Sequence, residues 1–556
     1  MPVITVSYPD LCELLGKRVE RKHLCERLAM LGIEAEAAGD ELKLEVAHNR
    51  PDLLSPEGVA RALRGFLGLE LGMPRYKIGA SGVTVEVDRR VKPIRPFIAA
   101  GVVTNVKLTD EIVASLMQVQ EKLHASLCRN RRKGSIGIYD LDTIKPPMRY
   151  TTTLPDGLRF VPLDFDRELT PAQILREHPK GVEYAPIVRD WPRYPLLVDS
   201  RDTVLSLPPI INSEDTRVTS RTKRLFIDVT GQDERVVNQA LTILMTGLAE
   251  RGFKLQSVMI KYPDRRVQTP DLRPTRHRLS VRAANELIGL ALKPSEMAKI
   301  ARRMRYDVAS AKGGVLTLLA PPYRSDLIHE VDLIEDIAIG YGYDKLEPTL
   351  PKVVTVGERA SIERVSERAR RVLTGLGFME VMTYTLTNPR ENFELMRVSG
   401  EAAEISNPVS EEYTILRTWL LPGLLGVLRA NRRHELPQRV FEVGDVVVLD
   451  EKAETGARNV RHVAGAIIGE EANFTYIKAV TEAVLRELGA KWEVVAMEHP
   501  SFIPGRVAGF ICDGERVGFT GEIHPEVIAG FGLEHPVAAF ELILPEELYG
   551  GAKGNR

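Results

Sequence analysis

The sequence predicts an α+β protein with several domains, and three observations lead to this fold class. The chain has 556 residues, which is too long for a single hydrophobic core. Apolar residues make up 44% and charged residues 27% of the chain, as in ordinary soluble globular proteins. Helical and strand-like hydrophobic periods both occur along the chain, and this mixture indicates α+β domains.

The composition excludes several classes of protein. A general polyanion-binding protein is strongly basic, whereas the formal net charge here is -1. The four cysteines are scattered, so the sequence predicts neither a zinc site nor a disulfide framework, and a reducing cytoplasm fits. The N-terminus lacks the pattern of a signal peptide, and the apolar run LLPGLLGVL is too short to span a membrane.

Four domains are predicted, at residues 1–88, 89–265, 273–349 and 355–556. In the first domain, Ser55 and Pro56 supply the cap and the first position of a helix. The second domain combines strands such as FIAAGVVTNV and RLFIDVTG with two long helices, TDEIVASLMQVQEKLHASLCRN and ERVVNQALTILMTGLAERG. The polar, Pro-rich segment YPDRRVQTPDLRPT that follows is predicted to be a linker.

The third and fourth domains differ in their patterns. The third reads as two helices, a strand and a further helix, which is typical of a small winged-helix-like module. The fourth begins with the helix SIERVSERARRVLTGLGF and continues with strands such as RVFEVGDVVVL, HVAGAIIG and RVGFTGEI. We expect one antiparallel sheet flanked by helices.

The last predicted helix of the third domain is rich in carboxylates. Residues 323–344 read YRSDLIHEVDLIEDIAIGYGYD, and Val331, Ile334 and Ala338 are predicted to form its apolar side. The carboxylates are predicted to lie mostly on the other side, at Asp332, Glu335 and Asp336. No Lys or Arg occurs between Arg324 and Lys345, so no ion pair is expected to offset the repulsion among the carboxylates. Two interpretations remain open: a solvated acidic face, or an oxygen-only site for a divalent cation such as magnesium.

The run RSDLIHEVDLIEDIAIGYGYDKLEP closely resembles a segment of phenylalanyl-tRNA synthetase beta subunits. The stretch HNRPDLLS resembles the N-terminal signature of this family. Two further stretches, GSIGIYDLDTIKPPMRYTTTLP and LPPIINSEDTRV, resemble the archaeal and eukaryotic-cytosolic form of its editing domain. The resemblance implies an α+β multidomain fold: a mixed α/β editing domain, a winged-helix-like domain and a catalytic-like class II synthetase domain with an antiparallel sheet. It covers the whole chain.

The resemblance also implies partners and a metal. We expect two alpha and two beta chains that join phenylalanine to its tRNA, with ATP bound as a substrate at the alpha subunit. It implies a magnesium ion (Mg2+), shared with the alpha subunit, at Asp326, Asp332, Glu335 and Asp336 of this chain. Glu330 matches no ligand position in the family.

The catalytic-like domain is expected to lack its own ATP site. Class II synthetases hold the triphosphate with arginines, one of which follows a glutamate near the C-terminus. In the stretch HPVAAFELIL, Glu541 is followed by Leu542 where the class II synthetase pattern has arginine. We therefore interpret residues 355–556 as a scaffold.

The editing domain is predicted to hydrolyse tyrosyl-tRNA. Asp228 and Thr230 are two residues apart on a predicted strand and share a face, and Asn212 and Ser213 lie in LPPIINSED. The hypothesis is that Asp228 or one of its neighbours accepts the tyrosine hydroxyl, while Thr230, Ser213 and Asn212 position the ester and a water. The alternative is that Asn212 and Ser213 shape a turn, and that Asp228 and Thr230 line an ordinary sheet surface.

Other polar groups have competing interpretations. Ser206 and Leu196 are further candidates for the pocket wall, and the basic run RNRRK at 129–133 either guides the tRNA end or is a solvated helix end. The residues His48, Asn49, Arg50 and Asp52 are predicted to form a hydrogen-bonded turn. Two rival functions are a self-sufficient class II ligase and a magnesium-dependent nucleic-acid-binding protein or hydrolase built on the acidic helix.

Overall fold

The computed structural model describes residues 1–351 and 355–544 and contains two compact units, Met1–Leu350 and Pro351–Arg556. Both units combine helices with β-sheets, which confirms the mixed α and β architecture with several sheets. Within the described residues, every helix is too short or too polar to cross a membrane.

The first unit begins with a three-stranded antiparallel sheet of order β1-β3-β2, packed against three helices. As predicted, Ser55 caps the third helix: its Oγ accepts from the Gly58 backbone N–H at 3.2 Å, with Pro56 in the first turn. The elements are β1 (Val3–Ser7), α1 (Tyr8–Leu15), α2 (Arg21–Met30), β2 (Glu34–Ala38), β3 (Glu41–Glu45) and α3 (Pro56–Phe66).

A ten-stranded mixed sheet follows, with the order β10-β9-β8-β7-β4-β12-β5-β11-β6 and β13 paired to β12. Strand β4 precedes the predicted boundary at residue 88 and belongs to this sheet. The predicted linker was wrong in part, because it contains β13. The elements are β4 (Ile78–Val87), β5 (Phe97–Thr104), α4 (Asp110–Ala125), β6 (Gly134–Asp140), β7 (Met148–Thr153), α5 (Pro171–Glu177), α6 (Pro179–Val188), β8 (Tyr194–Val198), β9 (Val204–Leu207), β10 (Ile211–Asn212), β11 (Leu225–Gly231), α7 (Glu234–Glu250), β12 (Lys254–Lys261) and β13 (Arg266–Thr269).

The alternation of side chains along β11 separates the two faces of the large sheet. Ile227 and Val229 pack in the core that also contains α7, whereas Phe226 packs on the opposite face with Tyr139. Asp228 lies on the same face as Phe226, because successive strand residues point to opposite sides. The predicted strand RLFIDVTG therefore positions a carboxyl group on the face away from α7.

The rest of the first unit is a three-stranded antiparallel sheet of order β14-β16-β15 with three helices. Its buried residues join one continuous core with those of the N-terminal sheet. The sequence predicted the three helices and one strand but missed β14 and β15. The elements are β14 (Thr275–Ser280), α8 (Val281–Ile288), α9 (Pro294–Arg303), β15 (Asp307–Lys312), β16 (Val315–Ala320) and α10 (Glu330–Tyr341).

The second unit contains a seven-stranded, mainly antiparallel sheet of order β17-β20-β21-β25-β24-β23-β22 and a separate pair, β18-β19. Helices α11 and α13 contribute to one core on this sheet, and α12 contributes to another. The elements are α11 (Ser361–Gly375), β17 (Met379–Glu380), β18 (Leu386–Thr387), β19 (Ile415–Leu416), α12 (Leu421–Ala430), β20 (Gln438–Leu449), β21 (Ala457–Ile468), α13 (Phe474–Glu487), β22 (Glu493–Ala496), β23 (Phe502–Cys512), β24 (Glu515–Ile523), α14 (Pro525–Gly530) and β25 (Val537–Ile543).

Candidate functional site

A cavity of about 360 Å³ lies where the two ends of the ten-stranded sheet approach each other. Strand β6 ends the sheet on one side and β10 on the other. Across this gap, the Asn212 side-chain nitrogen donates to the Ile138 carbonyl oxygen at 3.3 Å. The sheet therefore curls back on itself, and the cavity occupies the seam between its two ends.

Asp228 forms part of the cavity wall although it is only 1% exposed. The Tyr139 hydroxyl donates to Asp228 Oδ1 at 2.6 Å. Burial raises the pKa of Asp228 to about 7, although the Tyr139 hydrogen bond and the Arg95 charge act to lower it. Near neutral pH this carboxyl group populates both protonation states, so it can accept from or donate to a ligand hydroxyl.

Thr230 lies beside the cavity rather than in its wall. Its Oγ1 accepts from Arg95 Nε at 3.0 Å and lies 3.1 Å from Ser135 Oγ. Arg95 is fully buried and also donates to the Thr230 carbonyl oxygen at 2.7 Å and to Arg131 O at 3.2 Å. Asp228 and Thr230 do share a face of the sheet, but the hydroxyl and carbonyl oxygens of Thr230 already accept hydrogen bonds from the Arg95 guanidinium.

Asn212 and Ser213 both line the cavity, and Ser213 also shapes a turn. Ser213 Oγ accepts from the Asp215 backbone N–H at 3.3 Å, at the start of the 3-10 turn Glu214–Thr216. The Asn212 side-chain amide donates one of its N–H groups to the Ile138 carbonyl oxygen, as described above. The turn and cavity interpretations are therefore compatible for Ser213, whereas Asn212 lies in strand β10. Ser206 also lies in the wall, whereas Leu196 is buried in a neighbouring core.

The basic run RNRRK, predicted either to guide the tRNA end or to be a solvated helix end, lies partly in the cavity wall. Arg131, the middle residue of RNRRK, is 7% exposed and donates to Ile210 O at 2.9 Å and Glu121 Oε1 at 2.7 Å. Residues 129, 130 and 131 all have positive φ, so this turn is left-handed and directs Arg131 inward. The basic run therefore contributes its central arginine to the wall of the cavity.

Two histidines near the cavity have both ring nitrogens engaged. His124 Nε2 accepts from the Ile136 backbone N–H at 2.8 Å, and its Nδ1 lies 3.3 Å from Glu121 Oε1. Burial lowers the pKa of His124 to about 4, so this ring is neutral. His178 accepts from the Lys180 backbone N–H and lies 3.0 Å from Leu163 O. Neither ring has a nitrogen left for a ligand.

The acidic segment of the third region is neutralised from within the chain. Arg324, whose side chain is 3% exposed, lies 2.7 Å from Asp326 Oδ2 and 2.8 Å from Asp336 Oδ2. The Tyr306 hydroxyl also donates to Asp336 Oδ2. The expectation that no ion pair offsets these charges was wrong, because the loop before α10 brings Arg324 back against the helix.

The buried side of α10 also differs from the prediction. Val331 is 46% exposed, whereas Leu333, Ile337 and Asp336 are buried together with Ile334. Asp336 was predicted to lie mostly on the opposite, polar side. It can be buried because Arg324 and Tyr306 satisfy its oxygens.

The remaining two carboxylates of this segment lie apart from that pair. Asp332 Oδ2 accepts from the backbone N–H groups of Ile328 and His329, each at 2.7 Å, and so caps α10. Glu335 is exposed. Within residues 1–351 and 355–544, no group of three or more metal-binding side chains is gathered around one point. The four residues do not fit a single magnesium cage in this chain alone, and the magnesium site stays a prediction.

In the second unit, Glu541 is used for structure. It is 3% exposed and accepts from the backbone N–H groups of Leu420 and Leu421 at the start of α12, at 2.9 and 3.0 Å. His462 Nδ1 lies 2.6 Å from the same carboxylate. The carboxylate thus satisfies helix donors that would otherwise be unpaired.

Three protein-family profiles match the chain. They are the tRNA synthetase B5 domain at residues 277–343, the B3/4 domain at 107–254 and the phenylalanyl tRNA synthetase beta chain CLM domain at 346–544. With the fold, these matches define a subunit of an aminoacyl-tRNA synthetase.

Curated relatives specify which subunit. The chain is 45% identical to the phenylalanine--tRNA ligase beta subunit of Methanothrix thermoacetophila, over 98% of this chain and 100% of the relative. It is 45% identical to that of Archaeoglobus fulgidus, over 98% of each. The chain belongs to the phenylalanine--tRNA ligase beta subunit family.

A solved structure supports the architecture of the first unit. The crystal structure of an N-terminal fragment of the phenylalanyl-tRNA synthetase beta subunit from Pyrococcus horikoshii is similar, with a TM-score of 0.59 and 38% identity. The match covers 61% of this chain and 99% of the fragment.

Proposed function

We propose that this chain works with an alpha subunit to attach phenylalanine to its tRNA in an ATP-dependent reaction, and that its own cavity hydrolyses mischarged tyrosyl-tRNA. The observation that carries the editing proposal is Asp228: a buried carboxyl group in a cavity wall, with one oxygen bonded to Tyr139 and the other unpaired within residues 1–351 and 355–544.

The selectivity follows from the cost of leaving that oxygen unpaired. Phenylalanine and tyrosine differ by one hydroxyl. An apolar pocket at an aminoacylation site discriminates against the larger amino acid by a factor of only about 100. A second site with a buried polar group binds the tyrosine hydroxyl well, because phenylalanine would leave the group without a partner. Asp228 supplies such a group.

The hydrolysis itself is proposed to use a positioned water. His124 and His178 have their ring nitrogens engaged, so neither is available as a general base. Asn212 and Ser213 line the cavity and are proposed to position the ester and the water. Thr230 is proposed to act indirectly, since its hydroxyl accepts from the buried Arg95 guanidinium.

An alpha partner is proposed on two grounds. The relatives are beta subunits by name, and the second unit carries exposed apolar side chains that a partner would cover. Met379, Met382 and Tyr384 are 69%, 93% and 77% exposed. The use of Glu541 to cap α12 supports an alpha chain, and not this one, as the holder of ATP.

Magnesium is retained as a prediction for the assembled enzyme. Arg324 already neutralises Asp326 and Asp336, which leaves Asp332 and Glu335 as the carboxylates open to an ion in this chain. The same observation weakens the rival proposal of a magnesium-dependent nucleic-acid hydrolase, because two of its four ligands are taken. The heterotetramer and the cytoplasmic location are likewise proposals drawn from the family resemblance.

The editing proposal is tested by deacylation of tyrosyl-tRNA with the reconstituted alpha–beta enzyme. Asp228→Ala removes the hydroxyl acceptor and is expected to slow hydrolysis by about 100-fold or more. Asp142→Ala changes an exposed carboxylate after the neighbouring strand β6 and is expected to leave hydrolysis unchanged. Wild-type hydrolysis by a folded Asp228→Ala enzyme would rule out this pocket assignment.

A further inference from the structure

Strands β6 and β11 place a tyrosine and an aspartate against each other on the cavity face. Asp228 is directly opposite Gly137 in the strand register, and Tyr139 is its diagonal neighbour. Side chains at such diagonal positions are within reach when one of them is long. The Tyr139 ring leans along β6 until its hydroxyl reaches Asp228 Oδ1 at 2.6 Å.

Gly137 makes this contact possible. A Cβ atom at position 137 would lie 2.0 Å from the Tyr139 hydroxyl oxygen and 2.5 Å from Asp228 Oδ1. Any other amino acid at this position would push the two groups apart, because its Cβ would overlap both. The absent side chain therefore creates the space in which the phenol and the carboxyl group meet.

The tyrosine also fixes which carboxyl oxygen remains free. Tyr139 is fully buried, and burial raises its pKa well above the ordinary value, so its hydroxyl keeps the single proton that it donates to Oδ1. Ser206 Oγ lies 2.8 Å from the Tyr139 oxygen and is the group left to donate to it. Asp228 Oδ2 is the oxygen available to a ligand.

The ionisable groups that face Asp228 come from three elements. Tyr139 belongs to β6, Tyr150 to β7, and Arg95 to the segment before β5. Arg95 makes no ion pair with Asp228 and donates instead to Thr230, Ser135 and a backbone carbonyl. The hydrogen bond that stabilises the ionised form of Asp228 is therefore that of Tyr139.

We propose that Tyr139 is a positioning residue for tyrosine recognition: it holds Asp228 Oδ1, and thereby presents Oδ2 to the hydroxyl of the substrate. This inference rests on the proposed editing function and adds to it. The hydroxyl of the substrate tyrosine is recognised by Asp228 and Tyr139 together, and the contact between these two residues depends on Gly137. Asp228 alone would have two equivalent oxygens and no fixed orientation.

The test compares tyrosyl-tRNA and phenylalanyl-tRNA deacylation by the reconstituted enzyme across neutral pH. Tyr139→Phe is expected to reduce the preference for tyrosyl-tRNA about tenfold, which is the cost of one lost hydrogen bond to a charged group. It is also expected to move the midpoint of the pH profile to higher pH, since the ionised carboxylate loses its donor. A residue with only a packing role would leave that midpoint in place.

A matched control and a milder variant complete the experiment. Tyr262→Phe removes another hydroxyl beside this sheet, one that bonds to the Ile98 backbone, and is expected to change neither the preference nor the midpoint. Ser206→Ala leaves the Tyr139–Asp228 contact in place but removes its orienting donor. It is expected to shift both readouts in the same direction by a smaller factor, and it serves if Tyr139→Phe does not fold.

The outcomes separate this inference from the proposed function. If folded Tyr139→Phe or Ser206→Ala enzymes keep the wild-type preference and pH midpoint while Asp228→Ala is inactive, the role of Tyr139 is overturned and editing stands. If the wild-type enzyme leaves tyrosyl-tRNA intact, the proposed function is overturned, and this inference with it.

Discussion

Asp228 and Asp336 are both buried aspartates that accept a hydrogen bond from a tyrosine hydroxyl, yet their surroundings differ. Asp336 has the Arg324 guanidinium 2.8 Å away and lies in a packed core beside Tyr306. Asp228 has Tyr139 at 2.6 Å, a cavity of about 360 Å³ in front of it and, among the described residues, no cation in contact.

The difference indicates which carboxyl group is available for function. A buried carboxylate with a cation in contact is already compensated, so an incoming ligand gains little by binding it. A buried carboxyl group without such a cation keeps a high free energy when ionised, and a ligand hydroxyl relieves part of that cost. The comparison supports a structural role for Asp336 and the proposed recognition role for Asp228.

The largest expected effect comes from removing the cation at Asp336. Arg324→Met removes the guanidinium that lies against Asp336 and Asp326 and is expected to lower the free energy of unfolding by about 3–5 kcal/mol. The measurement is the urea midpoint of the chain. Arg282→Met serves as the control, since its side chain is 85% exposed in an ion pair with Glu286 and such pairs contribute less than about 1 kcal/mol. Equal midpoints for Arg324→Met and wild type would contradict the structural assignment.

A smaller effect is expected from making Asp228 non-ionisable. Folding raises the pKa of Asp228 from 3.8 to about 7, so the protonated form is favoured and wild-type stability falls as pH rises through this interval. The Asp228→Asn variant has no carboxyl group to ionise at this position, so its stability does not fall in this way. Between about pH 5 and pH 8, its free energy of unfolding should therefore rise by about 2–3 kcal/mol relative to that of the wild type.

Urea midpoints of both proteins at the two pH values measure this gain. Asp202→Asn is the control, because that carboxylate is exposed in a turn of the same sheet. A constant difference between Asp228→Asn and wild type would mean that Asp228 is solvated, and the contrast with Asp336 would disappear.

The smallest effect is expected from magnesium. When the chain is studied without its partner, removing magnesium with a chelator should leave the thermal unfolding midpoint unchanged. The reason is that Arg324 neutralises two of the four predicted ligands. Differential scanning fluorimetry of the wild type and of Glu335→Gln measures this. A magnesium-dependent rise in the midpoint that Glu335→Gln abolishes would establish a metal site and sharpen the role of the acidic helix.

Local sequence patterns predicted several features of the site. Strand alternation correctly placed Asp228 and Thr230 on one face, and the Ser55–Pro56 signal placed the start of α3. The same alternation in GSIGIYD puts Gly137 and Tyr139 on one face, and this signal went unused. The orientation of α10 was predicted incorrectly, because hydrophobic periodicity treats every acid as a surface residue and ignores partners outside the helix.

The sequence by itself determined the family, the alternation of strand faces and most of the helices, because these depend on neighbouring residues and short periods. Tertiary structure alone decided the state of each buried charge. Arg324 was adjacent to the acidic segment in sequence, but only the fold brings it to Asp336; Arg95 is 135 residues from Thr230 and occupies its hydroxyl. Whether a carboxyl group is compensated or open depends on such distant contacts, because the energy of a charge in a protein is set by everything that surrounds it.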